Sequence, residues 1–196
     1  MSKKRLEALI QEKNGYITTQ DAESKGIHRE YLSLFVEEER LVRTAPGIYQ
    51  LPSAWDDAMF NLQQKRKSMI FSHETALFMH GLSDREPFIY SVTLPTGYNT
   101  TQLNHNNLKT FTIKRDLLEL GMTSAKTTYG NTIVVYDIER TICDMLRSRN
   151  RVDKQVLSEG LNRYINNPTK DLNKLVKYAQ SLGMYSVLKR YLELIL

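Results

Sequence analysis

Residues 15–51 read GYITTQDAESKGIHREYLSLFVEEERLVRTAPGIYQL, and the order of signals in this stretch decides the fold of the N-terminal quarter. A short strand, Tyr16-Ile17, leads into a helix opened by Thr18-Thr19, whose hydroxyls can accept from the unpaired N–H groups of a first helical turn. Ala22 is small enough for a close helix crossing, and Gly26 supplies a backbone break. A second helix runs from His28 to near Glu39. Then come Leu41-Val42-Arg43-Thr44, the turn residues Pro46-Gly47, and Ile48-Tyr49-Gln50-Leu51, which together form a hairpin pattern. Two helices across a tight glycine turn followed by a hairpin is the winged helix-turn-helix plan. Its second helix is shaped for a major groove and its hairpin for the DNA backbone.

Upstream, Lys4 to Lys13 carries Leu6, Leu9 and Ile10 on one helical stripe and ends at Asn14-Gly15. Placed at intervals of about 100°, the second helix of the module turns Leu32, Phe35 and Val36 inward, with His28 and Tyr31 flanking them. Arg29, Glu30, Ser33 and Leu34 fall on the other side. Arg29 is the candidate base reader, since a guanidinium can bind guanine O6 and N7 together. His28, Tyr31 and Ser33 are further candidates for base edges or phosphate. Thr18, Thr19 and Gln20 sit at a helix N-terminus suited to phosphate, and Arg43 and Thr44 precede the hairpin tip. A second reading stays open. Modules of this size also act as protein-interaction adaptors, and Glu37-Glu38-Glu39 would repel DNA if they faced it.

Pro52 stops the hairpin strand and Ser53 can cap a new helix, so the expected division is a DNA-binding domain over 1–52 and a second domain over 53–196. A helix over Ala54 to Lys67 ends in Lys65, Arg66 and Lys67, further candidates for phosphate contact. Another opens at Ser72 and stops at Gly81. Strand texture follows at Phe88 to Leu94, Leu108 to Ile113 and Thr132 to Tyr136. Helical periodicity returns over Ile138 to Arg147, Lys154 to Ile165, Leu172 to Gln180 and Tyr185 to Leu194. The expected class is α+β: a winged helix-turn-helix, then an α+β domain with an antiparallel sheet and a helical C-terminal part.

The 196-residue chain has a formal net charge of +5, which permits an anionic partner. The charge is unevenly placed, because residues 1–52 hold eight basic and eight acidic side chains, leaving the surplus to 53–196. Lys170, Lys174 and Lys177 share a helical face there, either as plain solvated surface or as contacts for flanking DNA phosphates. The single cysteine, Cys143, and the lack of an export signal favour a reducing, cytoplasmic setting. No apolar run reaches the ~20 residues of a membrane span.

Chemistry finds little purchase. His73 and His80 are seven residues apart, not the four that would aim two imidazoles at one metal. Asp137, Glu139, Arg140 and Asp144 form the best acidic cluster. It would serve a metal-dependent nuclease, or more simply a helix terminus and a local ion pair. Cys143 lies in an apolar run as a buried small side chain would. No phosphate-cradling glycine loop or nucleophile elbow is present. The expectation is no catalytic residue, no metal and no cofactor.

The run Gly15-Tyr16-Ile17-Thr18, Gly26-Ile27 and Leu41 through Pro52 resembles the N-terminal domain of the AbiEi antitoxins of bacterial abortive-infection, type IV toxin–antitoxin systems. The resemblance extends through Phe71-Ser72-His73-Glu74-Thr75-Ala76-Leu77, His80-Gly81-Leu82-Ser83-Asp84, Val92-Thr93-Leu94-Pro95 and Asp137-Ile138-Glu139-Arg140-Thr141-Ile142-Cys143-Asp144. It implies a transcriptional autorepressor acting in phage defence, whose winged helix binds inverted repeats in double-stranded operator DNA at its own promoter. It further implies a C-terminal domain that counters a nucleotidyltransferase-like toxin without a stable complex.

Overall fold

The computed structural model describes residues 2–100, 103 and 108–195. The chain forms two compact units, Met1–Lys67 with Lys126–Ile133, and Ser68–Ala125 with Val134–Leu196. The first unit thus runs past Pro52 and takes in a segment distant in sequence.

In the first unit, α1 (Ser2–Glu12), β1 (Tyr16–Thr18), α2 (Thr19–Ser24), α3 (Glu30–Glu37), β2 (Val42–Ala45), β3 (Ile48–Gln50) and α4 (Ala58–Lys65) follow one another. The strands form an antiparallel sheet in the order β1-β3-β2, with a register shift between Arg43 and Ala45. Leu6, Leu9 and Ile10 of α1 and Leu32 and Phe35 of α3 are buried together with Ile17 and Leu41, so the two apolar stripes read from spacing are the ones that meet. Gly26 has φ +69°, a left-handed conformation that glycine adopts without the strain another residue would carry.

Local chemistry sets the start of α2. Thr18 Oγ1 accepts from the Asp21 amide at 3.1 Å while the Thr18 amide donates to Asp21 Oδ2 at 3.0 Å, a reciprocal capping box. Burial would push the Asp21 pKa up, but the hydrogen bonds from Lys13 and Thr18 hold it below the ordinary carboxylate value. Thr18→Ala is expected to lower stability by about 1 kcal/mol, read as a lower urea midpoint by Trp55 fluorescence. An unchanged midpoint would mean that the cap carries no weight.

Helix α4 starts at Ala58, four residues later than Ala54, because Asp57 and not Ser53 caps it. Asp57 Oδ1 accepts from the Phe60 amide at 3.0 Å. The second oxygen of this buried carboxylate accepts from Thr127 Oγ1 at 2.5 Å and Asn131 Nδ2 at 2.9 Å. Those two bonds tie residues 126–133 into the first unit.

The second unit contains β4 (Ile70–Phe71), α5 (His73–Met79), β5 (Tyr90–Pro95), β6 (Leu108–Ile113), α6 (Ile138–Arg147), α7 (Lys154–Asn166), α8 (Leu172–Ser181) and α9 (Tyr185–Ile195). The strands β7 (Met122–Lys126) and β8 (Thr132–Tyr136) straddle the division between units. The sheet order is β6-β5-β4-β8-β7. Antiparallel pairing holds between β4 and β5, but β4 pairs with β8 and β5 with β6 in parallel. The sheet is therefore mixed and not simply antiparallel, and β5, buried along nearly its whole length, lacks the in–out alternation of a one-sided antiparallel strand. Ser72 stands at the N-cap of α5 yet its hydroxyl makes no capping bond. Helix α6 is buried from Glu139 to Leu146 and packs with Leu157, Leu161, Leu175 and Leu188 of the later helices. Among the described residues no helix is long and apolar enough to cross a membrane.

Candidate nucleic-acid interface

The helix pair α2–α3 and the β2–β3 hairpin hold most of the candidate contact residues, and packing has already engaged some of them. Thr18 spends its hydroxyl on Asp21, donating to Oδ2 at 2.7 Å as well as accepting from the amide. The Thr19 amide donates to the Gly47 carbonyl at 2.9 Å, which fastens the hairpin turn to the start of α2. A Cβ at Gly47, φ +72°, would lie 3.2 Å from Thr19 Oγ1, so the turn has little room for anything but glycine. Thr44 is half-buried, its hydroxyl 3.4 Å from the Ile48 carbonyl.

Gln20, His28, Arg29, Ser33 and Arg43 are exposed, and Tyr31 is half-buried at the edge of the core. Arg29 occupies the N-cap position of α3 and Arg43 lies on β2 opposite Tyr49. Neither forms an ion pair among the described residues. The outward surface of α3 is not simply basic, however. Glu30, Ser33, Leu34 and Glu37 line a shallow groove on it, and Glu30 approaches His28 Nδ1 at 3.5 Å. Glu38 is turned elsewhere, 2.6 Å from Lys3 Nζ and 3.5 Å from Arg40. A carboxylate beside a duplex is repelled by phosphate unless it accepts from a base amino group, such as that of cytosine.

A separate cleft of about 250 Å³ within the first unit brings together Thr18, Gln20 and Lys67 with Lys13, Lys126 and the acidic residues Glu12 and Asp21. Lys13 bonds Asp21 at 2.8 Å, Lys126 bonds Thr132 Oγ1 at 2.7 Å, and Lys67 donates to Gln64. Lys65, Arg66 and Lys67 belong to this unit, where they add positive charge that residues 1–52 lack. Lys13 and Lys126 escaped the sequence reading, the latter because nothing local announces that residue 126 folds back to the first unit.

In the second unit the lysine stripe is not uniform. Lys174 sits 2.9 Å from Asp137 and 3.2 Å from Glu139. Desolvation alone would lower its pKa, but these carboxylates outweigh it and raise the value. Lys170 is half-buried with Nζ 3.5 Å from the Asn167 carbonyl, and Lys177 is exposed. The acidic cluster is likewise absorbed. Asp137 caps α6 by accepting from the Arg140 amide at 2.8 Å, Glu139 accepts from the Asp171 amide at 3.2 Å, and Asp144 is buried against Arg140. His80 Nε2 lies 2.6 Å from the Tyr136 carbonyl. Cys143 is buried and its thiol pKa is pushed up to about 12, chiefly by desolvation, which makes it a poor nucleophile. Among the described residues no three His, Cys, Asp or Glu side chains are grouped to hold a metal.

Residues 4–52, which span α1 through β3, match the family model described as a transcriptional regulator, AbiEi antitoxin. Among solved structures, the RV2827C protein from Mycobacterium tuberculosis matches at 13% identity and a TM-score of 0.46, over 92% of this chain and 76% of that one. Comparison with the curated proteins found no match.

Proposed function

We propose that the first unit is a winged helix-turn-helix that reads duplex DNA, and that the protein represses its own promoter as the antitoxin of an abortive-infection, type IV system. The observation that carries this reading is the family match over 4–52, a stretch whose elements are a helix pair joined at Gly26 and a hairpin with exposed Arg43. Inverted repeats in double-stranded operator DNA are the ligand, the countered partner is a nucleotidyltransferase-like toxin, and the setting is the cytoplasm. Arg29 reads bases from the start of α3. Arg43 and the cations Lys13, Lys65, Arg66, Lys67 and Lys126 hold phosphates.

The glutamates on α3 favour one competing reading, an adaptor whose α3 groove docks a basic protein segment. A single set of mobility shifts separates the two. Arg29→Ala is expected to weaken operator binding roughly 5- to 150-fold and to relax specificity at one base position. Arg43→Ala should weaken operator and scrambled duplex alike. Glu37→Gln should tighten both by removing a repulsive charge. If none of the three changes any DNA affinity, α3 does not face a duplex and the adaptor reading stands.

A further inference from the structure

Helix α6 ends at Arg147, and the chain beyond it helps to wall a cleft of about 340 Å³ in the second unit. Phe111, Thr112, Arg147, Ser148, Asn150 and Arg151 line it, with no carboxylate among them. Both guanidinium groups are anchored from behind. Arg147 Nη2 is 3.3 Å from buried Asp144 Oδ1. Arg151 Nη2 donates to the Thr110 carbonyl at 2.9 Å, and its Cζ stands 4.5 Å from the centre of the Phe111 ring. The Thr110 bond uses one of the five N–H donors that the Arg151 guanidinium carries, while Arg147 faces its carboxylate by charge without a hydrogen bond.

The opposite face of this arrangement is a buried polar chain. His73, fully buried, holds φ at +50°, a left-handed conformation that costs a non-glycine residue free energy and persists where the surroundings enforce it. Its ring stacks on Phe111 with centroids 3.4 Å apart. Burial, with Arg147, Lys109, Arg140 and Arg151 nearby, holds its pKa well below the ordinary imidazole value, so the ring is neutral and carries one N–H. Ser72 Oγ accepts from Thr93 Oγ1 at 2.9 Å and lies 2.9 Å from His73 Nδ1. His73 Nε2 lies 3.0 Å from Ser148 Oγ, so the polar chain runs from Thr93 through Ser72 and His73 to the cleft. Ser148 is thereby held at the cleft it lines.

From this convergence of two guanidinium groups and a hydroxyl held against His73, we infer that the cleft binds the phosphate group of a small ligand, either free phosphate or the phosphate end of a nucleotide. Phe111 offers no open face for a base, since His73 and Arg151 cover it, so recognition is of the phosphate itself. The site stands independently of the DNA-reading proposal.

The test is calorimetric titration of the full chain in phosphate-free buffer with inorganic phosphate, pyrophosphate and a nucleoside triphosphate, beside a short duplex. Saturable binding of at least one small phosphate is expected, weakened about tenfold or more by Arg151→Gln and by Arg147→Gln. Ser148→Ala should weaken it several-fold, and Ser148→Thr should restore it. Far-UV circular dichroism of each variant confirms an intact fold, and Arg151→Gln, whose side chain bonds the Thr110 carbonyl and lies over the Phe111 ring, tests the site if Arg147→Gln unfolds. Absence of binding by all three small phosphates would overturn the inference. So would binding that Arg151→Gln leaves unchanged, or duplex binding lost in Arg151→Gln while the small phosphates give no heat.

Discussion

Asp144→Ala is expected to lower the unfolding free energy by about 3–5 kcal/mol, the cost of leaving a buried charge without its counter-ion. Arg140 and Asp144 are both fully buried on α6, with Nε 3.0 Å from Oδ2. Arg140 also donates from Nη1 to the carbonyls of Leu117 at 3.0 Å and Leu120 at 2.5 Å, and lies over the Tyr136 ring at 4.0 Å. It therefore clamps the turn before β7 to the helix. At Gly121, φ +76°, an added Cβ would stand 2.5 Å from Arg140 Cβ, which shows how closely that turn is pressed on the side chain. Removing Asp144 strands the guanidinium and takes the partner of Arg147 as well. The double variant Arg140→Met, Asp144→Leu should lose less than the single one, because no lone charge remains, although two carbonyls give up their donor. Urea titration followed by circular dichroism measures both. A single variant within about 1 kcal/mol of the parent would mean that the pair is not what secures α6.

The second large effect lies in the first unit. Phe35→Ala should cost about 3–5 kcal/mol, combining lost transfer free energy with the cavity left behind. Phe35 is buried among Leu6, Ile10, Leu32 and Leu41, and the Arg40 guanidinium sits 4.1 Å from its ring centre. A core this small has few other large side chains to close over the gap. Trp55, the chain's single tryptophan, belongs to this unit and stacks on Tyr129, so its fluorescence reports the transition. Phe35→Leu, which keeps most of the volume, should cost under about 1.5 kcal/mol. If the alanine variant unfolds at the parent's urea midpoint, α3 is not held by this packing.

Local signals carried much of this fold. Leu108–Ile113, Thr132–Tyr136 and Ile138–Arg147 form with the boundaries that their patterning predicts, because long alternating or helical periods survive folding unchanged. Strand β4 was illegible, since two residues, Ile70 and Phe71, are too few to show a period, yet they pair on both sides within the sheet. Strand β7, Met-Thr-Ser-Ala-Lys, is mostly exposed and poor in β-branched bulk. The attachment of Thr127 and Asn131 to Asp57 spans some 70 residues and has no local signature.

The candidate interface was legible in part for the same reason. Helical spacing separates the inward Leu32 and Phe35 from the outward Arg29, Glu30 and Ser33, as the structure places them. It cannot foresee that Thr18 would be spent on its own cap, that Lys174 would find Asp137 and Glu139, or that Lys126 would join Lys13 and Lys67 around one cleft. Those pairings depend on tertiary proximity. The His73 chain was equally hidden, because Ser72, Thr93, Phe111 and Ser148 meet it only once β5, β6 and α6 are assembled.

A first unit that reads DNA as proposed distinguishes one duplex sequence from others. Fluorescence anisotropy at a fixed salt concentration, with the protein's own promoter duplex against a scrambled duplex of equal length and composition, measures this directly. A preference of about a thousandfold or more for the promoter is expected, greatly reduced in Arg29→Ala. Equal affinity for the two duplexes would contradict it.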